Sequence, residues 1–262
     1  MKIAVCIKQV PAYSSEMVSN ETGTVIRSGI KSMLNPYDLP AIETAVRIKG
    51  KIGANIDIFT MGPREAEAVI REAYSRGADR GFLVNDKRFS GADVLATSYT
   101  ISQAMKTVDS YDLIICGRQS TDGCTAQVGG ELAELLDIPS VNWVNKICDI
   151  DDCSITVEQL LEKEKLVLKI PYPCLISVEP SIYSPRMPSL KLKILASKKD
   201  IKILSLKDMK DKDFKHYGLR GSATKVEKIF PAPKIERQDI IEKDPTEVAK
   251  DIFKLISLVK DL

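Results

Sequence analysis

The sequence predicts an α/β protein: a mostly parallel, doubly wound sheet, an antiparallel extension after Pro139, and a C-terminal arm ending in a helix. Three observations lead there. Short continuous apolar runs alternate with amphipathic helical patterns over the first 140 residues, as strands covered on both faces and joined by crossover helices do. Past Pro139 the helical period gives way to strand-like pieces separated by acidic turns. Charge divides the chain as well. Residues 186–262 carry 19 Lys and Arg against 12 Asp and Glu, whereas residues 1–185 carry 19 against 24, within a formal net charge of +2 over 262 residues.

The strands of the first half are expected at residues 3–7, 56–61, 82–84 and 113–116. Between them, Asp38 is placed to cap a helix with Pro40 in its first turn and Ala41, Ile42, Ala45 and Val46 on one face. Pro63 opens a second helix that buries Val69, Ile70, Ala73 and Tyr74. A third, from about Ala92, buries Val94, Leu95, Ile101, Met105 and Val108. A fourth, from about Thr125, buries Val128, Leu132, Leu135 and Leu136 and ends at Pro139. Residues 141–144, 155–157, 166–170 and 175–178 form the antiparallel extension. The stretch 183–202, rich in Pro, Ser and Lys, reads as a surface loop that exposes Met187, Leu190 and Leu192, and 218–235 as an extended arm. Asp244, Pro245 and Glu247 then give an N-cap, a first-turn proline and an acidic third position. Val248, Ile252, Leu255, Val259 and Leu262 follow at intervals of 4, 3, 4 and 3. Such a seam must be covered, either by its own domain or by a partner. The division is therefore a domain at 1–217 and an arm with its helix at 218–262.

Several function classes drop out. No apolar run approaches the roughly 18 to 20 residues of a membrane span. The N-terminal run is broken by Lys8 and Gln9 and lacks a small-residue cleavage site, so it is a first strand rather than a signal peptide, and a cytoplasmic location is expected. Of six cysteines, Cys6, Cys116 and Cys174 lie in apolar runs, as buried thiols of a reducing compartment do. Cys148 and Cys153 match no common zinc spacing, and His216 is the single histidine. No metal site or histidine-based catalysis is expected. The balanced charge also argues against a nucleic-acid partner.

The dinucleotide glycine fingerprint and the phosphate loop are both absent, so a nucleotide site must be argued from residues 113–130. There a buried strand runs into a small-residue loop and then a helix. Ligands of open α/β sheets sit beyond the carboxyl ends of strands at a topological switch point. Gly117 and Gly123 would let backbone approach a ligand, and the amides of Thr125, Ala126, Gln127 and Val128 would point at an anion from a helix N-terminus. Pyrophosphate would fit, although an ordinary capped turn has the same composition. Residues 5–10, the Asn35-Pro36-Tyr37-Asp38 turn and Met61-Gly62-Pro63 close strands or open helices in the same half, so one crevice could gather them. No side-chain acid or nucleophile is expected to act.

Taken in order, KIAVCIKQVP at 2–11, MLNPYD at 33–38, TMGP at 60–63, GAD at 77–79 and again at 91–93, the loop 117–129 and GLRGSATKV at 218–226 resemble the beta subunit of electron-transferring flavoproteins. The resemblance runs nearly end to end. It implies an α/β nucleotide-binding domain and a C-terminal arm that wraps onto an alpha subunit. It also separates two branches, one holding a structural AMP and one holding FAD near an NADH site for electron bifurcation. Asp122-Gly-Cys-Thr-Ala-Gln-Val-Gly129 is similar to the bifurcating branch, with Cys124 and Gly130 as departures. On that resemblance FAD is bound by Cys6, Lys8, Asn35, Met61, Gly62, Arg118, Asp122, Gly123, Thr125, Ala126, Gln127, Val128 and Gly129. It takes hydride from NADH and divides the pair between ferredoxin or flavodoxin and the alpha-subunit FAD, which serves a flavin-dependent dehydrogenase. Tyr37 would lie near the alpha-subunit flavin. The loop around Pro188 and Leu190 would dock the dehydrogenase, with Leu190 as its apolar anchor. The alternatives are an AMP-holding electron carrier of the same family and a nucleotide-binding regulatory domain without redox chemistry.

Overall fold

In the computed structural model, which describes residues 1–12, 31–225, 227 and 242–260, the first apolar run is strand β1 (Lys2–Cys6). Its Ile3 and Val5 face one side of the sheet and Ala4 and Cys6 the other. Two short strands, β2 (Gln9–Pro11) and β3 (Ser32–Leu34), pair antiparallel beside it. Helix α1 (Asp38–Ile52), β4 (Asn55–Met61), α2 (Glu67–Arg76), β5 (Arg80–Val84), α3 (Val94–Val108), β6 (Leu113–Gly117) and α4 (Val128–Leu136) then alternate as the sequence predicts. Next come β7 (Ser140–Ile150), β8 (Ser154–Leu160), β9 (Lys165–Pro171) and β10 (Cys174–Val178). Helix α5 (Leu190–Ala196), β11 (Lys202–Leu204), the single turn α6 (Gly218–Gly221) and α7 (Pro245–Lys260) follow.

Among the described residues the main sheet has nine strands in the order β11-β5-β4-β1-β6-β10-β7-β8-β9. Pairing is parallel from β11 to β7 and antiparallel through β8 and β9. One face packs on α1 and α2 through Ala41, Ile42, Ala45, Val69 and Ile70. The other packs on α3 and α4 through Ile101, Met105 and Leu132. Helices on both faces of a parallel sheet define the doubly wound class. No helix among the described residues is long and apolar enough to cross a membrane.

The structure departs from the sequence reading at particular places. Residues 175–178 are not part of the antiparallel extension: β10 runs parallel between β6 and β7. The stretch 183–202 is not all loop, since α5 packs on α2 and the Ser189 amide donates to the Ser75 carbonyl (3.3 Å). Asp38 does not cap α1. Tyr37 occupies that position without a side-chain bond. In α3 the cap is Asp93, which accepts from the Ala96 amide (3.0 Å). This turns Leu95 outward and leaves Val94 half-buried. Helix α4 begins at Val128 rather than Thr125, because Cys124 and Ala126 adopt left-handed φ angles of 53° and 57°, which an α-helix does not accommodate. Residues 218–224 are bonded to the body rather than extended from it. Gly218, at φ 57°, sits so close to the Arg88 carbonyl that a Cβ would lie 2.1 Å away, and Asp93 accepts from the Thr224 amide (2.8 Å) and hydroxyl (3.0 Å).

Candidate crevice at the carboxyl ends of β1 and β6

Strand β1 leads through α1 to β4 on one side, whereas β5 leads through α3 to β6 on the other. Their connections diverge, so the crevice lies beyond Cys6 and Gly117. Cys6 and Cys116 are register partners in its floor, both buried. Their mutual contact, and then burial, push the Cys6 thiol well above its ordinary pKa.

Three segments converge above that floor. Asn35, buried in the turn before α1, donates its Nδ2 to the Gln119 carbonyl (2.8 Å) and accepts from the Thr121 amide (3.3 Å), while its own amide donates to the Lys8 carbonyl (2.9 Å). It thereby ties the end of β1 to the loop after β6. Lys8 reaches across the loop as well: its Nζ lies 2.7 Å from Asp122 Oδ1 and 3.5 Å from Ser120 Oγ. Burial pushes Asp122 up, but the Lys8 ammonium outweighs it and holds the carboxyl below the usual range. Asp38, 5% exposed, accepts the Lys8 amide at 2.7 Å. Burial raises its pKa to about 7 despite that bond and one from Asn35. A Cβ at Gly117 would lie 2.4 Å from Asp38 Oδ1 and from the Tyr37 carbonyl oxygen, so only glycine fits there.

The loop then leaves donors free. The Gly123 amide donates to Ser120 Oγ (3.4 Å) and the Cys124 amide to the Ser120 carbonyl (2.9 Å). From Thr125 to Gly130 no amide donates to a protein acceptor among the described residues; the next bond is from the Glu131 amide to the Gln127 carbonyl (3.0 Å). Gly129 is buried, and a buried amide without a partner is costly. This run of donors at a helix start has the chemistry of an anion cradle. It is longer than the sequence reading expected, since it includes Gly129 and Gly130.

The other expected residues are placed as follows. Gly62 is fixed at the end of β4: its amide donates to the Val84 carbonyl (3.1 Å) and its carbonyl accepts from Asn85 Nδ2 (2.7 Å). Met61 is half-buried beside it. Arg118 does not join Lys8. It pairs with the buried Glu179 at the end of β10 (3.0 Å). Tyr37 is half-buried in the Asn35 turn. Pro188 and Leu190 lie at α5, on the α1 and α2 side of the sheet, away from the loop cradle. Met187 is 85% and Leu190 74% exposed. Glu43 of α1 secures the approach to them, accepting from Arg186 through Nε (2.8 Å), Nη2 (3.0 Å) and the amide (3.1 Å), and from Arg47 (2.7 Å). Burial alone would raise Glu43, but these bonds hold it at about 2. Sequence reasoning missed Glu43, Ser120, Glu179 and the buried role of Asp38, because each acts across more than thirty residues or through backbone. The Asp244 cap of α7 is present, with Oδ1 accepting from the Thr246 amide (2.9 Å). Ile252, Phe253, Leu255, Ile256 and Leu258 are exposed. The Val259 side chain and Leu262, the last members of the seam, lie outside the described residues, as do residues 228–235 of the arm.

A doubly wound sheet with a switch point beyond β1 and β6, closed by Gly117 and followed by a loop whose amides carry no protein acceptor among the described residues, defines an α/β protein of the nucleotide-binding architectural class. Comparison with known proteins narrows the class. Residues 22–209 match the electron transfer flavoprotein domain. The chain is 41% identical to the electron transfer flavoprotein subunit beta of Thermoanaerobacterium thermosaccharolyticum, over 86% of each chain. It is 37% identical to protein FixA of Sinorhizobium fredii, over 98% of this chain and 93% of that one. It is 36% identical to the acryloyl-CoA reductase electron transfer subunit gamma of Anaerotignum propionicum, over 89% of each. The chain belongs to the electron transfer flavoprotein family, as a beta subunit.

Proposed function

We propose that this beta subunit holds FAD in the β1–β6 crevice and serves electron bifurcation together with an alpha subunit. The observation that carries this reading is the free donor run Thr125–Gly130 behind Asp122, on a loop whose sequence is similar to the FAD-holding branch. When bound, the FAD supplies the exchange between hydride from NADH and single electrons, one for ferredoxin or flavodoxin and one for the alpha-subunit FAD and a flavin-dependent dehydrogenase. The protein's own part is binding and orientation. The loop amides of Thr125, Ala126, Gln127, Val128 and Gly129 hold the pyrophosphate. Lys8, paired with Asp122, and Arg118, aimed by Glu179, border the loop. Asn35 and Asp122 fix the loop against β1, Gly123 permits its turn, and Cys6, Met61 and Gly62 close the floor and side. No side chain of this chain is assigned a covalent step.

The same reading gives the exposed surfaces partners. Residues 218–262 form the arm, held to the body at 218–224 and packing on the alpha subunit beyond them through the apolar face of α7, while 1–217 form the nucleotide domain. Tyr37 faces the alpha-subunit flavin. Pro188 and the exposed Leu190 dock the dehydrogenase; a dehydrogenase partner is in keeping with the relative named as an acryloyl-CoA reductase electron transfer subunit.

Co-purification with the alpha subunit, followed by denaturation and counting of nucleotides, tests the reading. Two FAD and no AMP per heterodimer are expected. One FAD with one AMP would overturn it in favour of the AMP-holding carrier.

A further inference from the structure

One ionisable side chain in the crevice floor has no part in the binding just described. Asp38 is buried between the end of β1 and the close approach of Gly117, and no cation pairs with it among the described residues. The nearest ammonium, that of Lys8, is spent on Asp122 at 2.7 Å, while Asp38 holds only the Lys8 amide and the Asn35 side chain. The groups that face it are the Cys6 thiol at the end of β1, Lys8 from the segment just after it, Asp122 from the loop, and Asn35 from its own turn. A carboxylate in such a place carries its charge at a cost that further negative charge nearby increases. The donor run at Thr125–Gly130, on the same loop as Asp122, is where such charge would arrive.

We propose that Asp38 is a positioning residue that links nucleotide binding to proton uptake: it holds the Lys8 amide in place whether charged or neutral, and takes one proton from solvent when a pyrophosphate occupies the loop amides. This rests on the reading of the crevice as a dinucleotide site. The balance is simple. One solvent proton joins one Asp38 oxygen, the other oxygen keeps accepting the Lys8 N–H, and no other bond changes. The tie between β1 and the loop therefore survives while one of the clustered negative charges disappears. Because the free-state pKa lies near neutrality, the uptake falls in the physiological range. Binding is tightest below that value and weakens as pH rises through it, by up to about tenfold per pH unit for one linked proton.

The test uses the heterodimer with its beta crevice emptied, titrated calorimetrically at pH 7 with FAD, and separately with ADP as a pyrophosphate probe, in two buffers of different ionisation heat. Net proton uptake is expected for both ligands in the wild type, with an infrared carbonyl band of a protonated carboxyl appearing on binding. Asp38→Asn, which keeps the shape and an acceptor for Lys8, is expected to bind both with no uptake, no new band and a flat pH profile. Binding without uptake in the wild type, or unchanged uptake in Asp38→Asn, overturns the linkage and leaves the crevice assignment standing. Failure of both ligands to bind the wild type overturns the crevice assignment and the linkage with it. The infrared band needs no variant, so a poorly folding Asp38→Asn does not protect the proposal.

Discussion

Helix α1 buries two carboxylates a little more than one turn apart, and their surroundings are opposite. Asp38 faces the crevice with an amide and no cation, and burial raises it to about 7. Glu43 faces the segment leading to α5 with two arginines, which overcome burial and hold it at about 2. A buried charge given full partners fixes structure. One denied them responds to whatever arrives next. The first two turns of one helix thus divide the work, Asp38 facing the crevice and Glu43 an outer surface.

The contrast can be broken first at its steric foundation. Gly117→Ala puts a Cβ onto Asp38 and a main-chain carbonyl, neither of which can swing aside, and is expected to cost about 3 kcal/mol in urea unfolding and to strip the nucleotide. Glu43→Gln comes next. It removes the charge that Arg186 and Arg47 share, and because both arginines are about half exposed the loss should be about 2 kcal/mol rather than that of a fully buried pair. The wild type should lose this contribution only as pH falls from about 4.5 through about 2, the window of a depressed carboxyl.

Asp38→Asn sharpens the comparison with the opposite sign. A raised carboxyl favours the folded state when protonated, so wild-type stability should fall as pH rises from about 4 through about 7. Asp38→Asn should abolish that slope and gain about 1 to 2 kcal/mol above pH 7, read as a higher urea midpoint. The smallest stability effect belongs to Leu190→Ala. At 74% exposure it should move stability by under about 0.5 kcal/mol while slowing electron transfer to the dehydrogenase. Normal transfer rate and affinity in that variant would remove the docking role.

Much of this was legible in the chain because it is local. Continuous apolar runs flanked by helix-starting prolines placed β1, β4, β5, β6 and the helices between them, and the glycines at 117 and 123 marked the loop. What escaped depended on distant partners. Nothing near Leu175 tells that it sits beside Ile114 rather than on the edge of a hairpin sheet. Asp38 has the sequence position of a cap, and only the fold reveals that Lys8 competes for it. The start of α4 was expected three residues too early, since the left-handed turns at Cys124 and Ala126 are not glycine positions and carry no sequence mark.

The placement of β10 has a consequence for how the chain is assembled. Strands β7, β8 and β9 are synthesised before it, yet β10 lies between them and β6. A chain folding as it is made would leave the facing edges of β6 and β7 unpaired until roughly residue 178 has left the ribosome. The central pairing is therefore a late, long-range event, the kind that slows folding. During that interval the open edges of β6 and β7 are the part of the nascent chain most in need of protection from other strands.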